Sequence, residues 1–260
     1  MSYIIRYATI CQKGLVREKN QDNFWCMNEF LALENEGADS AINGMTKNDI
    51  IPAFAVFDGM GGEQAGEVAS HIAASVFDAF YNENTKKQIK TFILDACEQM
   101  NLAICDYVKK NELQTSGSTV AILIFGKTEI IACNIGDSRI YQFSNQKLTQ
   151  ISYDHSEMSV THRKAPLTQS LGIPKSEFII EPYLAKGLYT SGDRYLICSD
   201  GLTDMVTDEQ IEKIMNENPD ISQCAEILLQ HALANGGHDN ITIIICEVRR
   251  QRRLFNRRGE

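Results

Sequence analysis

Two periodic patterns of hydrophobic and polar residues run along this chain. Apolar side chains recur at helical spacing over residues 64–81 and 86–110, and helices are also predicted at 208–217 and 220–234. Short apolar runs bounded by turn residues are typical of strands. These predicted strands cover residues 3–10, 53–57, 119–125, 129–135, 139–143, 178–184, 195–198 and 241–248.

The order of these elements indicates the fold class. Gly136-Asp137-Ser138 separates two neighbouring strands as a tight turn, which favours an antiparallel hairpin. The last strand, 241–248, is apolar on both faces and is therefore predicted to be central in its sheet. Blocks of hairpins separated by helices favour an α+β protein. Residues 28–50 are expected to be a surface insertion, and residues 155–175 a loop.

Chain length and net charge limit the classes of function that this protein can have. The chain has 260 residues, 43% of them hydrophobic, which suits a soluble globular protein with a sizeable core. Its net charge is −9, so binding to a nucleic-acid backbone is not expected to be its main task. Residues 249–260 contribute +5 of this charge, leaving −14 on the rest. This basic tail is interpreted as a solvated terminus, with an anchor to anionic lipid or an acidic partner as the alternative.

The eight cysteines point to a reducing compartment. None belongs to a Cys-x-x-Cys pair, and most lie within apolar runs, as small core residues do. A zinc site is not expected, because no Cys/His group has the spacing of its ligands. The N-terminus does not resemble a signal peptide, and no apolar run is long enough to span a bilayer. We therefore expect a cytoplasmic protein.

Four aspartates stand at the ends of apolar runs. They are Asp58 after residues 54–57, Asp137 after 130–135, Asp200 near the end of 195–198, and Asp239 before 241–246. Each could simply be part of a turn, where Asp-Gly pairs are common. If the strands lie side by side, however, the carboxylates gather at one rim and repel one another. Mg²⁺ or Mn²⁺ would relieve that repulsion, since these ions prefer oxygen ligands. An oxygen-only, multinuclear metal site is the sharper interpretation.

A guanidinium could complete such a site. Arg17 lies in the segment Gly14-Leu15-Val16-Arg17-Glu18-Lys19-Asn20-Gln21-Asp22. On its own, Arg17 would be a solvated surface residue. Beside a metal cluster, it could grip a phosphate through two hydrogen bonds at once, which lysine cannot do.

Seven motifs in order resemble one known family, the metal-dependent protein phosphatases or protein phosphatase 2C. The resemblance covers about residues 7 to 248, and the Asp-Gly-Met-Gly-Gly form is most similar to the bacterial branch. The motifs are Arg17-x-x-Asn20-Gln21-Asp22, Phe54-Ala55-Val56-Phe57-Asp58-Gly59-Met60-Gly61-Gly62, Gly117-Ser118-Thr119, Gly136-Asp137-Ser138-Arg139, Leu148-Thr149 with Asp154-His155-Ser156, Cys198-Ser199-Asp200-Gly201-Leu202-Thr203-Asp204 and Gly237-His238-Asp239-Asn240.

The resemblance implies a fold and a set of roles. The fold would be two stacked antiparallel β-sheets flanked by helices, an α-β-β-α sandwich, with residues 1–248 as one catalytic domain and 249–260 as its tail. Asp58 would bridge two Mn²⁺ or Mg²⁺ ions, and Arg17 would bind the substrate phosphate. The other implied ligands are Asp200 and Asp239 for the first ion, the Gly59 carbonyl and, through water, Asp22 for the second, and Asp137 and Asp204 for a third, weaker ion.

The implied reaction is hydrolysis of phosphoserine and phosphothreonine in proteins. A water bridging the metals would attack phosphorus without a phosphoenzyme intermediate. Such an enzyme would reverse the work of a cognate Ser/Thr kinase, and a monomer is expected. A phosphatase dedicated to one signalling partner and a non-catalytic phosphoprotein-binding domain are the alternatives. Cys11 and Arg17 also have the Cys-x5-Arg spacing of cysteine phosphatases, but no glycine-rich phosphate cradle accompanies them.

Two departures from the family pattern bear on the mechanism. Met60 occupies the position where some members carry a histidine that protonates the leaving group, and methionine cannot donate a proton. The flap within residues 155–175 is shorter than in most bacterial members. His155 and His238 adjoin ligand-bearing motifs, where we expect them to make structural hydrogen bonds.

Overall fold

The computed structural model describes residues 3–38, 40–46, 50–60, 65–84, 87–157 and 166–251. The helices are α1 Gly66–Glu83, α2 Ile89–Lys110, α3 Asp200–Thr203, α4 Asp208–Glu217 and α5 Ile221–Ala234. The strands are β1 Tyr3–Gln12, β2 Asp22–Cys26, β3 Ile42–Met45, β4 Ala53–Met60, β5 Gly117–Ser118, β6 Val120–Phe125, β7 Glu129–Ile135, β8 Arg139–Ser144, β9 Lys147–Gln150, β10 Tyr183–Leu188, β11 Arg194–Cys198 and β12 Ile241–Arg250.

The strands form two antiparallel sheets. The first has the order β3-β1-β12-β11-β8-β9 and the second β10-β7-β6-β4-β2, with β5 paired to the end of β4. The sheets face each other across a buried layer of apolar side chains. Helices α1 and α2 cover the outer face of the second sheet, and α3, α4 and α5 that of the first. The predicted α+β sandwich is confirmed.

Strand β12 shows how the layers meet. Its side chains alternate between the layer against the second sheet, which contains Ile244 and Cys246, and the layer against the helices, which contains Ile243 and Ile245. All four are fully buried, and each isoleucine contributes about 1.5–3 kcal/mol when removed from water. The strand lies between β1 and β11, so its predicted central position is confirmed.

Three sequence predictions need correction. The strand predicted at 178–184 is β10 at Tyr183–Leu188, because its partner β7 fixes the register from Asn134 to Glu129. Residues 28–50 are more than a surface excursion, since β3 pairs with β1 at the sheet edge. The basic tail begins later than residue 249, because Arg249 and Arg250 extend β12 opposite the start of β1. The arginines beyond residue 251 lie outside the described residues.

Four short strands, β2, β3, β5 and β9, and the one-turn helix α3 had no clear signal in the sequence. Strand β2 reads Asp-Asn-Phe-Trp-Cys, with polar residues at its start, although all five residues are buried. Strand β9 contains one buried residue, Leu148, between exposed or half-buried ones. Residues 158–165 of the predicted flap lie outside the described residues. The described helices are not long and apolar enough to cross a membrane.

Candidate active site

The functional residues meet where the ends of both sheets converge. Antiparallel pairing sets the first residue of β2, Asp22, directly opposite Asp58 near the end of β4. The other sheet contributes the end of β11 and the start of β12, and the turn between β7 and β8 closes the same rim. Every aspartate predicted from the ends of apolar runs therefore lies at one rim of the sandwich.

Three carboxylates form the centre of this site. One carboxylate oxygen from each of Asp58, Asp137 and Asp200 lies within 4.8 Å of the other two. Asp200 is only 3% exposed, and Asp58 and Asp137 are half-buried. Negative charges this close in a partly dry environment repel one another strongly. An all-oxygen donor set of this kind fits Mg²⁺ or Mn²⁺.

A buried threonine joins two of these aspartates through the backbone. Asp58 lies inside β4, which continues to Met60, so it does not end the strand as predicted. The Asp58 N–H donates to Thr119 Oγ1 over 3.1 Å, and the Thr119 N–H donates to the Asp58 carbonyl over 2.8 Å. The Thr119 hydroxyl also contacts the Ser138 hydroxyl at 2.7 Å, next to Asp137. Thr119 thereby fixes the strand relative to the turn.

His155 holds the turn that carries Asp137. The ring Nδ1 of His155 accepts a hydrogen bond from the Gly136 N–H at 3.1 Å, and the backbone N–H of His155 donates to the Gly136 carbonyl at 2.9 Å. Burial lowers the pKa of His155, which favours the neutral ring that can accept this bond. The predicted structural role of His155 is confirmed.

Asp22 lies behind the cluster, 2% exposed. Its Oδ2 accepts hydrogen bonds from the hydroxyls of Ser199 and Thr242, both at 2.7 Å. Ser199 directly precedes Asp200, so this bond ties the start of β2 to the end of β11. Thr242 could not be singled out from the sequence, because a threonine in a strand is ordinary.

Cys11 is not available as a nucleophile. Its side chain is fully buried, and Sγ accepts a hydrogen bond from the Asn20 amide at 3.3 Å. Burial, reinforced by the charge of Asp22, raises the pKa of Cys11 to about 12, so the thiol stays protonated near neutral pH. The Cys-x5-Arg alternative is therefore wrong on chemical grounds.

Arg17 and Asp239 form an ion pair at the mouth of the site. Arg17 Nη2 donates to Asp239 Oδ2 at 2.7 Å, and the Arg17 side chain is 47% exposed. The bond to this carboxylate raises the pKa of Arg17, so the guanidinium is permanently charged. Asp239 thus serves as the partner of Arg17, while Asp137 occupies the centre of the cluster. The metal-binding roles that the resemblance implies for Asp137 and Asp239 remain predictions.

One side chain, Asn240, organises the loop that carries Arg17. Its amide nitrogen donates to the carbonyls of Lys13 and Lys19, at 2.8 and 2.9 Å, and its Oδ1 accepts from the Gln21 N–H at 2.8 Å. Gly14 supports the same loop with φ +80°, and a Cβ there would lie 2.2 Å from the Asp239 carbonyl oxygen. Asn240 belongs to one of the sequence motifs, but the sequence did not indicate this role.

Gly59 and Asp204, the remaining predicted ligands, border the cluster. The Gly59 N–H donates to the Gln21 carbonyl at 3.0 Å, and a Cβ on Gly59 would lie 2.0 Å from the Gly66 carbonyl oxygen. Asp204 follows α3, where its N–H donates to the Asp200 carbonyl at 2.8 Å. The metal-binding roles of both residues remain predictions.

A sandwich of two antiparallel sheets between helices, with an oxygen-only carboxylate cluster and an arginine at the rim, defines a class of metal-dependent hydrolases. The family model described as "Protein phosphatase 2C" matches residues 39–235. The chain belongs to the protein phosphatase 2C family.

Several bacterial phosphatases are similar to this chain over most of its length. The serine/threonine phosphatase stp of Listeria monocytogenes is 29% identical over an alignment of 255 residues that covers 90% of this chain and 92% of that protein. The serine/threonine protein phosphatase PstP of Mycobacterium tuberculosis is 29% identical over 95% of this chain and 46% of its own length. A crystal structure of the PstP catalytic domain in complex with 2 manganese ions has a TM-score of 0.78 and 28% identity, covering 96% of this chain and 100% of that one.

Proposed function

We propose that this chain is a divalent-metal-dependent protein phosphatase that hydrolyses phosphoserine and phosphothreonine. The observation that carries the proposal is the convergence of Asp58, Asp137 and Asp200 on one point, with Arg17 at the rim. Membership of the protein phosphatase 2C family, and the manganese ions in the related PstP structure, support the same activity.

The aspartates would hold the metals. In this proposal Asp58 contacts two Mn²⁺ or Mg²⁺ ions, Asp200 and Asp239 contribute to the first, and Asp22 and the Gly59 carbonyl to the second. Asp137 and Asp204 would bind a third, more weakly held ion. When bound, divalent ions activate a water for attack on phosphorus and neutralise the phosphate oxygens.

The arginine would orient the substrate. Arg17 is half-exposed and faces the rim, so its guanidinium can reach a phosphate without losing its hold on Asp239. Planar guanidinium groups bind two phosphate oxygens at once, which fixes the angle of attack. Burial of Cys11 and its raised pKa argue against a cysteinyl-phosphate intermediate and support attack by water.

The proposal also covers the cellular compartment, the substrates and the oligomeric state. All eight cysteines are free and seven are buried, which supports a reducing, cytoplasmic environment. We propose that the substrates are phosphoproteins made by a cognate Ser/Thr kinase, and that the enzyme acts as a monomer. Its negative charge argues against nucleic acid as a partner.

The decisive experiment is the initial rate of phosphothreonine-peptide hydrolysis in Mn²⁺, in Mg²⁺ and in EDTA. Turnover is expected with metal and is expected to vanish in EDTA. The Asp239→Asn variant is expected to lose most of this turnover, because it loosens both a metal ligand and the partner of Arg17. No turnover of the wild-type chain with either metal would instead favour a phosphoprotein-binding domain without catalytic activity.

Arg17→Ala is expected mainly to raise KM for a phosphopeptide, by about tenfold or more, because loss of a charge-assisted double hydrogen bond costs roughly 1.5–3 kcal/mol. If the arginine binds ground state and transition state equally, kcat stays nearly unchanged. Steady-state kinetics on the variant measure both constants. Arg6→Ala is the matched control, since Arg6 is a half-exposed arginine paired with Glu247 on β12. An unchanged KM in Arg17→Ala would remove Arg17 from phosphate binding.

A further inference from the structure

A groove opens beside the active site, and nothing in the proposed reaction uses it. It has a volume of about 580 Å³ and lies between the second half of α2, the segment 111–117 and the segment 170–177. This volume falls within the range of pockets that bind organic ligands. Its apolar lining comes from Met60, Val108, Leu113 and Ile173.

The groove is preformed because a buried asparagine holds one wall in place. Asn101 on α2 is 5% exposed. Its Oδ1 accepts hydrogen bonds from the N–H groups of Gly172 and Ile173, at 2.7 and 3.2 Å, and its Nδ2 donates to the Ile173 carbonyl at 3.0 Å. A wall fixed in this way does not have to be ordered when a ligand binds, which lowers the entropic cost of binding.

The part of the groove lined by Gly117 and Leu171 is also held in place by hydrogen bonds. Leu171 and Ser118 exchange two backbone hydrogen bonds, Leu171 N–H to Ser118 O at 2.8 Å and Ser118 N–H to Leu171 O at 3.2 Å. The backbones pack so closely that a Cβ on Gly117 would lie 2.4 Å from the Leu171 carbonyl oxygen. Backbone hydrogen bonds therefore hold the loop 170–173 against the short strand β5.

The groove lies next to the catalytic rim at Met60. Met60, which lines it, pairs with Gly117 in β5 and follows Asp58 by two residues on β4. At the rise of a β-strand, two residues correspond to about 7 Å. A ligand whose phosphate lies at the carboxylate cluster would need only a residue or two of extended chain to enter the groove.

We propose that this groove binds the polypeptide of the phosphoprotein substrate next to its phosphorylated residue, with an apolar side chain of the substrate packed against Met60, Leu113 and Ile173. This inference rests on the proposed phosphatase function and names how that site selects its substrates. The occupant is a segment of the substrate chain, because Met60 places one end of the groove within a residue or two of the catalytic rim. Asp106, Lys109 and Glu177 border the apolar lining, so charged residues of both signs surround it.

The test compares two substrates on groove variants. Ile173→Asp places a charge in the apolar lining, and Leu113→Asp does so on the facing segment. Both are expected to lower kcat/KM for a phosphothreonine peptide with leucine neighbours by about tenfold or more, since loss of one apolar contact in a pocket costs tenfold and upward. Hydrolysis of p-nitrophenyl phosphate, which has no polypeptide, is expected to stay within about twofold of wild type. Leu188→Asp is the control, because Leu188 is 74% exposed on β10 and lies outside the groove lining.

A second comparison uses the wild-type chain and a peptide whose neighbours are glycines. Its kcat/KM is expected to be lower than that of the leucine peptide and insensitive to both groove variants. The proposal is overturned if both variants hydrolyse the leucine peptide as the wild type does, or if both lose peptide and p-nitrophenyl phosphate activity in parallel. Failure of the phosphatase function itself is distinguishable, because the wild-type chain would then hydrolyse neither substrate with Mn²⁺.

Discussion

Replacing Asp200 by asparagine is expected to lower kcat for a phosphothreonine peptide by more than about 100-fold, which exceeds the usual loss when only a supporting residue of a metal ligand is removed. Asp200 is buried and its carboxylate lies within 4.8 Å of those of Asp58 and Asp137. The amide keeps the size of the side chain but removes the negative charge that would bind a divalent cation. Steady-state kinetics at saturating Mn²⁺ and calorimetric titration with Mn²⁺ measure the two consequences.

In EDTA, the same substitution is expected to raise the thermal stability of the protein. Without a cation, the three neighbouring carboxylates repel one another, and removing one charge relieves that repulsion. The Tm of Asp200→Asn in EDTA is therefore expected to exceed that of the wild type. Asp95→Asn on α2, where Asp95 pairs with Lys87 at the surface, is the matched control and is expected to change neither quantity. Near-normal turnover of Asp200→Asn would show the metal assignment to be wrong.

Gly59→Ala is expected to lower kcat/KM by about 100-fold, the typical cost of moving a catalytic group by an ångström. A Cβ on Gly59 would lie 2.0 Å from the Gly66 carbonyl oxygen and 2.6 Å from that of Gln21. Both neighbours are backbone, so β4 itself has to shift beside Asp58. Overpacking of this kind also destabilises a fold by roughly 1–3 kcal/mol. Kinetics and a thermal denaturation curve report the two effects.

The control for this glycine is another strand glycine with open space around it. A Cβ on Gly187 in β10 would meet only the Ile130 side chain, at 3.6 Å or more. Gly187→Ala is therefore expected to retain wild-type activity and stability. If Gly59→Ala behaved like Gly187→Ala, the close approach of β4 to α1 would not matter for the site.

Several aspartates of the candidate site and several elements of the fold could be predicted from the sequence. Asp58, Asp137, Asp200 and Asp239 could be singled out because each borders an apolar run, and such runs end at the rim of a sheet. The helix predicted at 208–217 agrees with α4 to the residue, because Thr207 and Gln210 form a capping box that marks its start locally. Strand β12 could be placed at the centre because its apolar residues occupy both faces.

Contacts between segments that lie far apart in the sequence could not be predicted in this way. Strand β2 owes its burial to pairing with β4, and strand β10 owes its register to β7, so neither is encoded in a local pattern. The groove beside Met60 likewise exists only because Asn101 on α2 binds a loop some seventy residues further along the chain.

By itself, the sequence determined the α+β class and the four aspartates that border apolar runs, since amphipathic periodicity and turn chemistry are local properties of the chain. Tertiary structure decided which of those residues meet. Asp137 joins Asp58 and Asp200 at the centre, while Asp239 pairs with Arg17. That arrangement depends on side-chain directions and on hydrogen bonds across the two sheets, which are set only when the strand ends pack against one another.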